Sequence, residues 1–116
     1  MMKSTRGSVK GLPESVYKLV VAEVGDYERK KQALEKGGLS REQAIEYDRK
    51  VTVIDTALQS ACAGETRAAQ RALLSDIAAV RGYHHGAAAA YYPSKKTYIK
   101  RKGQAVTTIA KLLELI

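Results

Sequence analysis

The side chains best suited to gripping a polyanion lie close together near the C-terminus. They are Ser94, Lys95, Lys96, Thr97, Tyr98, Lys100, Arg101, Lys102 and Gln104. Residues 94–102 hold five of the chain's twenty basic residues and no acidic one. Arg, Lys, Gln and Thr are types that bond to base edges, and Lys and Tyr also hold phosphates. Advancing about 100° per residue along a helix from Ile99 sets Lys96, Thr97, Lys100, Arg101 and Gln104 on one face, with Lys95, Tyr98 and Lys102 on the flanks. Ile99, Val106, Ile109, Leu112, Leu113 and Ile116 recur at three- and four-residue steps and predict an apolar back face. Residues 94–104 therefore read as a recognition helix for the major groove of double-stranded DNA. Lys96, Lys100, Arg101 and Gln104 are expected at base edges, and Lys95, Tyr98 and Lys102 at the backbone. A run of charge is more often a plain solvated face. What favours a working surface is its setting: Pro93 disfavours helix in the residue before it, Ser94 is a good N-cap, and the back is apolar. Cations at a helix N-terminus oppose its dipole by roughly a few tenths of a kcal/mol each, a penalty that a bound polyanion reverses.

Other reactive side chains are sparser. His84 and His85 are adjacent, so they lack the i, i+4 spacing of a helical metal pair, and the nearest carboxylate is Asp76. Tyr91, Tyr92 and Tyr98 suggest a recombinase nucleophile, but that chemistry draws arginine and histidine partners from a larger domain. Cys62, the single cysteine, excludes an internal disulfide and reads as a buried small residue. No glycine-rich phosphate loop or paired acidic site is present in the sequence. The expectation is a protein with no catalytic residues, no metal and no cofactor.

The rest of the chain must position this segment. Its 116 residues suit one domain, or a small domain with an appended helical hairpin. With neither Trp nor Phe, the core must be built from aliphatic side chains and seven tyrosines. The formal net charge is +8, distributed as +3 over residues 1–50, zero over 51–93 and +5 over 94–116. Such concentration fits a nucleic-acid-binding element. A membrane surface would also attract it, but bulky apolar anchors are lacking there. No apolar run approaches the roughly 18 residues of a span, and the start lacks the apolar core of a signal peptide. A cytoplasmic protein is expected.

Residues 1–12 read as a flexible basic arm. Pro13 is placed as the first residue of a helix that continues through Val16, Leu19, Val20, Val24, Tyr27 and Leu34 to Gly37 and Gly38. Ser40 and Gln43 form a capping box for a second helix, with Ile45, Val51, Ile54 and Leu58 on its apolar side. The short turn between them predicts an antiparallel hairpin over 13–62, amphipathic enough to pair two copies as a homodimer. Residues 63–116 predict a DNA-binding domain. It comprises a helix over 66–81 with Ala69, Ala72, Leu73, Ile77 and Val80 inward, an end near Gly82, a short scaffold helix over 87–91, a turn at Pro93 and the basic helix. The fold expected is all-α, a hairpin followed by a helix-turn-helix.

The C-terminal half resembles the ArpU-type phage and prophage transcriptional regulators, whose C-terminal part is similar to region four of bacterial sigma factors. The resemblance covers about residues 50–116. It is carried by Ser94, Thr97 and Tyr98, the basic Lys100, Arg101 and Lys102, then Ala105, and Ala110 with Leu113. Upstream, residues 54–58 followed by Glu65, Thr66 and Arg67 look like the family's linker into its DNA domain. The alanine-rich scaffold segment, Pro93 in the turn and the His84–His85 pair depart from the family's pattern. The resemblance implies a sequence-specific regulator of phage or prophage genes that binds promoters and contacts RNA polymerase. Two other readings use the same residues: a small terminase-type packaging subunit, which also joins a helix-turn-helix to oligomerisation helices, and a helical protein-interaction module.

Overall fold

Three helices begin at hydroxyl side chains placed just ahead of them. Ser40 Oγ accepts from the Gln43 amide at 3.1 Å, Thr66 Oγ1 from the Ala69 amide at 3.1 Å, and Ser94 Oγ from the Thr97 amide at 3.2 Å. Each bond satisfies an amide that has no partner within its helix. At Ser40 the box closes as the sequence predicts, because Gln43 Oε1 accepts in return from the Ser40 amide at 3.2 Å.

The computed structural model describes Val9 and residues 11–116. Within these residues the chain forms α1 (Glu14–Gly25), α2 (Tyr27–Lys36), α3 (Arg41–Ala61), α4 (Arg67–Ala78) and α5 (Lys95–Leu112). Single 3-10 turns at Tyr83–His85 and Ala88–Tyr91 lie between α4 and α5, and no strand is present among the described residues. Most of the expected basic arm, residues 1–8 and Lys10, lies outside the described residues. Val9 and Leu12 pack against the core.

The first long helix of the sequence reading is two helices. The break falls at Asp26, directly after Gly25, and Pro13 stands just outside α1 as its N-cap. Glycine weakens a helix interior, and the Asp26 carboxylate bonds the Arg29 guanidinium twice at 2.9 Å, opening a new first turn. The break separates two tasks. α2 pairs with α3 to form the hairpin, while α1 packs against α4 and α5. Glu23, at the end of α1, ties both parts together through Lys30 at 2.9 Å and Lys50 at 2.7 Å. Burial alone would raise the Glu23 carboxyl's pKa, but the bonds from Lys50 and Lys30 outweigh it and hold the pKa below the usual range.

The core joins Val20, Val24, Ile54, Leu58, Leu73, Ile77, Val106 and Ile109 in one cluster, so buried side chains from both sides of Cys62 pack together. Ile45, expected on the inner face of α3, is exposed. The expected scaffold helix over 87–91 is only the turn Ala88–Tyr91. Its leading amides, Ala87 N and Ala88 N, are held by the Asp76 carboxylate, and Pro93 follows too closely for further turns. α4 also stops earlier than Gly82. Val80 adopts φ 56°, and the Arg81 amide closes on the Asp76 carbonyl at 2.9 Å. Val80 therefore occupies the left-handed position that usually carries glycine, and it is exposed rather than inward.

Candidate nucleic-acid interface

The N-terminal half of α5 is set by a buried carboxylate on α4. Asp76 is fully buried and accepts four bonds: from Ala87 N at 2.7 Å, Ala88 N at 3.0 Å, Arg81 Nε at 3.1 Å and Tyr98 Oη at 3.1 Å. A buried carboxylate without such partners would be very costly. Gly86 makes room for this arrangement, because a Cβ there would overlap the Asp76 carboxylate. The carbonyl of Arg81 then accepts from both Tyr98 Oη and Lys102 Nζ at 3.2 Å. The rings of Tyr83 and Tyr92 stand edge-on to Tyr98 at 5.4 and 5.9 Å between centroids.

This network fixes which face of α5 looks inward, and it corrects the sequence reading. Tyr98 is 1% exposed and Lys102 is 6% exposed, so neither is positioned to hold a phosphate. Tyr98, Lys102, Ala105, Val106, Ile109 and Ala110 form the inner face of the helix. Ile99, expected on the back face, is 54% exposed, and Leu112 is exposed too. Counting apolar residues alone placed the seam about one residue off. The sequence could not show that a tyrosine and a lysine would find buried oxygen partners. Burial pushes the Lys102 amine below its usual pKa, with nearby Asp76 opposing the shift. Burial also raises the pKa of the Tyr98 hydroxyl, and Asp76 adds to that shift.

The remaining expected residues divide into exposed and engaged. Lys95, Lys96, Lys100 and Gln104 are exposed. Thr97 is half-buried, and its hydroxyl lies 3.1 Å from that of the capping Ser94. Arg101 is engaged: its Nε donates to Glu65 Oε2 at 2.8 Å, and another guanidinium nitrogen donates to Gln104 Oε1 at 2.9 Å. Glu65 is held in turn by Tyr92 Oη at 2.8 Å. Lys111 is exposed and continues the stripe of Lys96, Lys100 and Gln104 along α5. It stands outside the expected 94–104 segment, although its spacing is visible in the sequence. Glu65 left no local signal, standing 36 residues from Arg101. Asp76 did leave one, as a carboxylate three residues after Leu73 on the apolar side of its helix.

No carboxylate among the described residues lies within ion-pair distance of Lys95, Lys96, Lys100 or Lys111. His84 and His85 are exposed on a 3-10 turn. Among the described residues, no three His, Cys, Asp or Glu side chains converge as metal ligands. No described helix is long and apolar enough to cross a membrane.

These features define an all-α protein that presents a lysine-lined helix face. No protein-family model, curated protein or solved structure matches the chain.

Proposed function

We propose that the protein binds double-stranded DNA through the outer face of α5. The observation that carries this reading is the stripe of Lys96, Lys100 and Lys111, with Lys95 at its head, exposed and unpaired among the described residues. Unpaired lysines along one helix release counterions from a duplex when they meet its phosphates. Exposed Gln104 and half-buried Thr107 supply the uncharged positions between them. On random-sequence duplex Lys96 and Lys100 meet phosphates; on a matched site Lys96, Lys100 and Gln104 are the residues proposed for base edges, and Arg101 joins them by leaving Glu65. Tyr98 and Lys102 serve the fold.

The finer reading is a helix-turn-helix regulator of phage or prophage promoters that contacts RNA polymerase. It rests on the sequence resemblance and forms the second tier of the proposal. The first tier is tested by titrating random-sequence duplex at two salt concentrations against the wild type and a Lys96→Ala/Lys100→Ala variant. Affinity should fall steeply with salt, and the variant should flatten the slope by about two. No binding at low salt would overturn both tiers. Selection from a random duplex pool tests the second tier: a recovered consensus supports it, and an unenriched pool leaves a non-specific DNA binder.

A further inference from the structure

A cavity of about 610 Å³ opens between α2, α3 and α4, away from the lysine stripe. It follows from the break at Asp26, where α1 runs to α4 while α2 turns to α3 and leaves a wedge between them. Gly25 lines the wedge, and a Cβ on it would meet nothing within 4 Å. The aliphatic part of the lining is Val24, Leu58 and Leu74, which are core residues, with Ala78 beside them.

Three cations line the same cavity: Lys31 from α2, and Arg67 with Arg71 from α4. None has an ion-pair partner within 4 Å among the described residues. Lys31 Nζ instead lies 5.7 Å from the centre of the Tyr27 ring. The lining also contains two carboxylates. Asp55 accepts the Tyr27 hydroxyl, and Glu28 stands exposed. Of the uncharged polar side chains there, Gln70 Nε2 donates to the Cys62 and Glu65 carbonyls, Ser75 Oγ accepts from Arg81, and Gln59 is exposed. The excess is thus cationic, beside an apolar floor. The volume falls in the range of about 300–1,000 Å³ typical of small-molecule sites.

We infer that this cavity binds a small organic anion with an apolar body, such as an aryl or acyl carboxylate. The body lies on Val24, Leu58 and Leu74, and the carboxylate faces Lys31, Arg67 and Arg71. Arginine suits the role because its planar fork matches a carboxylate. Binding here does not require DNA binding, since no residue of α5 lines the cavity.

The test is a titration of the full chain with 4-phenylbutyrate, followed by backbone amide NMR, beside the neutral alcohol 4-phenylbutanol. Saturable shifts are expected at Gly25, Tyr27, Leu58, Arg71 and Leu74, and none at Lys96 or Lys100. The alcohol should bind about fivefold or more weakly, and so should an Arg67→Gln/Arg71→Gln variant. Gly25→Leu, which adds bulk in open space on a helix, should abolish the shifts while circular dichroism and melting stay near wild type. Absence of saturable shifts up to about 10 mM, equal affinity for the alcohol, or shifts centred on α5 would each overturn the assignment. None of these outcomes bears on the duplex titration.

Discussion

Arg101 Nε and Glu65 Oε2 lie 2.8 Å apart, although 36 residues separate them in the chain. The contact ties the loop before α4 to the second turn of α5, and it draws the Arg101 guanidinium away from the lysine face. Both partners are mostly but not fully buried, at 28% and 20% side-chain exposure. Under the proposed function, DNA and Glu65 would compete for one guanidinium.

Glu65→Gln weakens the competitor and keeps its shape. The variant should bind duplex more tightly, by roughly three- to tenfold at low salt, with a salt slope steeper by about one. In an Arg101→Gln background the same change should have little effect on affinity. Duplex titrations of the four proteins at two salt concentrations check this, and an equal gain in both backgrounds would show that Glu65 acts through general charge alone.

Asp76 and Lys102 should respond in opposite ways to loss of charge. Asp76→Ala strands the amides of Ala87 and Ala88 and leaves the Tyr98 hydroxyl and the Arg81 guanidinium with only the Arg81 carbonyl and Ser75 Oγ, respectively. The expected cost is about 3–5 kcal/mol of stability. Lys102→Met keeps the aliphatic stem and removes a buried amine whose charged form is disfavoured. It should be neutral or stabilising by about 1 kcal/mol. Urea denaturation of both variants gives the comparison, and a Lys102→Met cost as large as that of Asp76→Ala would contradict the burial argument.

Two positions near the same carboxylate separate conformational strain from steric fit. Val80 has φ 56°, so Val80→Gly should raise stability by about 1 kcal/mol. Gly86 is required by close approach rather than by positive φ, and Gly86→Ala should cost about 1–3 kcal/mol as the Asp76 site shifts. Melting temperatures should move in opposite directions for the two substitutions.

Cys62 gives a pH dependence of definite sign. Burial pushes its thiol up to about 11 from an ordinary 9.0, with the nearby Glu65 charge adding to the shift. The folded state therefore holds the proton more tightly than the unfolded state. The resulting stability is fully present below pH 9 and is lost as pH rises towards 11, roughly 2–3 kcal/mol in all. Cys62→Ala should lose less stability over that interval, by about this amount, in denaturation series from pH 8 to 11. The wild-type thiol should also resist alkylation at neutral pH.

The sequence by itself determined the capped helix starts at Ser40 and Ser94, the all-α class and the gathering of positive charge in the last fifth of the chain. These are readable because a cap and its amide stand three residues apart and charge needs only counting. The orientation of α5 was not readable. Periodicity treats Ile99 as core and Lys102 as surface, and the structure reverses both, because Asp76 and the Arg81 carbonyl provide buried acceptors from 17 to 22 residues away. The Glu65–Arg101 pair and the wedge opened at Asp26 belong to the same class. A side chain's value in a fold depends on what stands opposite it, and only the tertiary structure decided which residues α4, α5 and the two 3-10 turns set face to face.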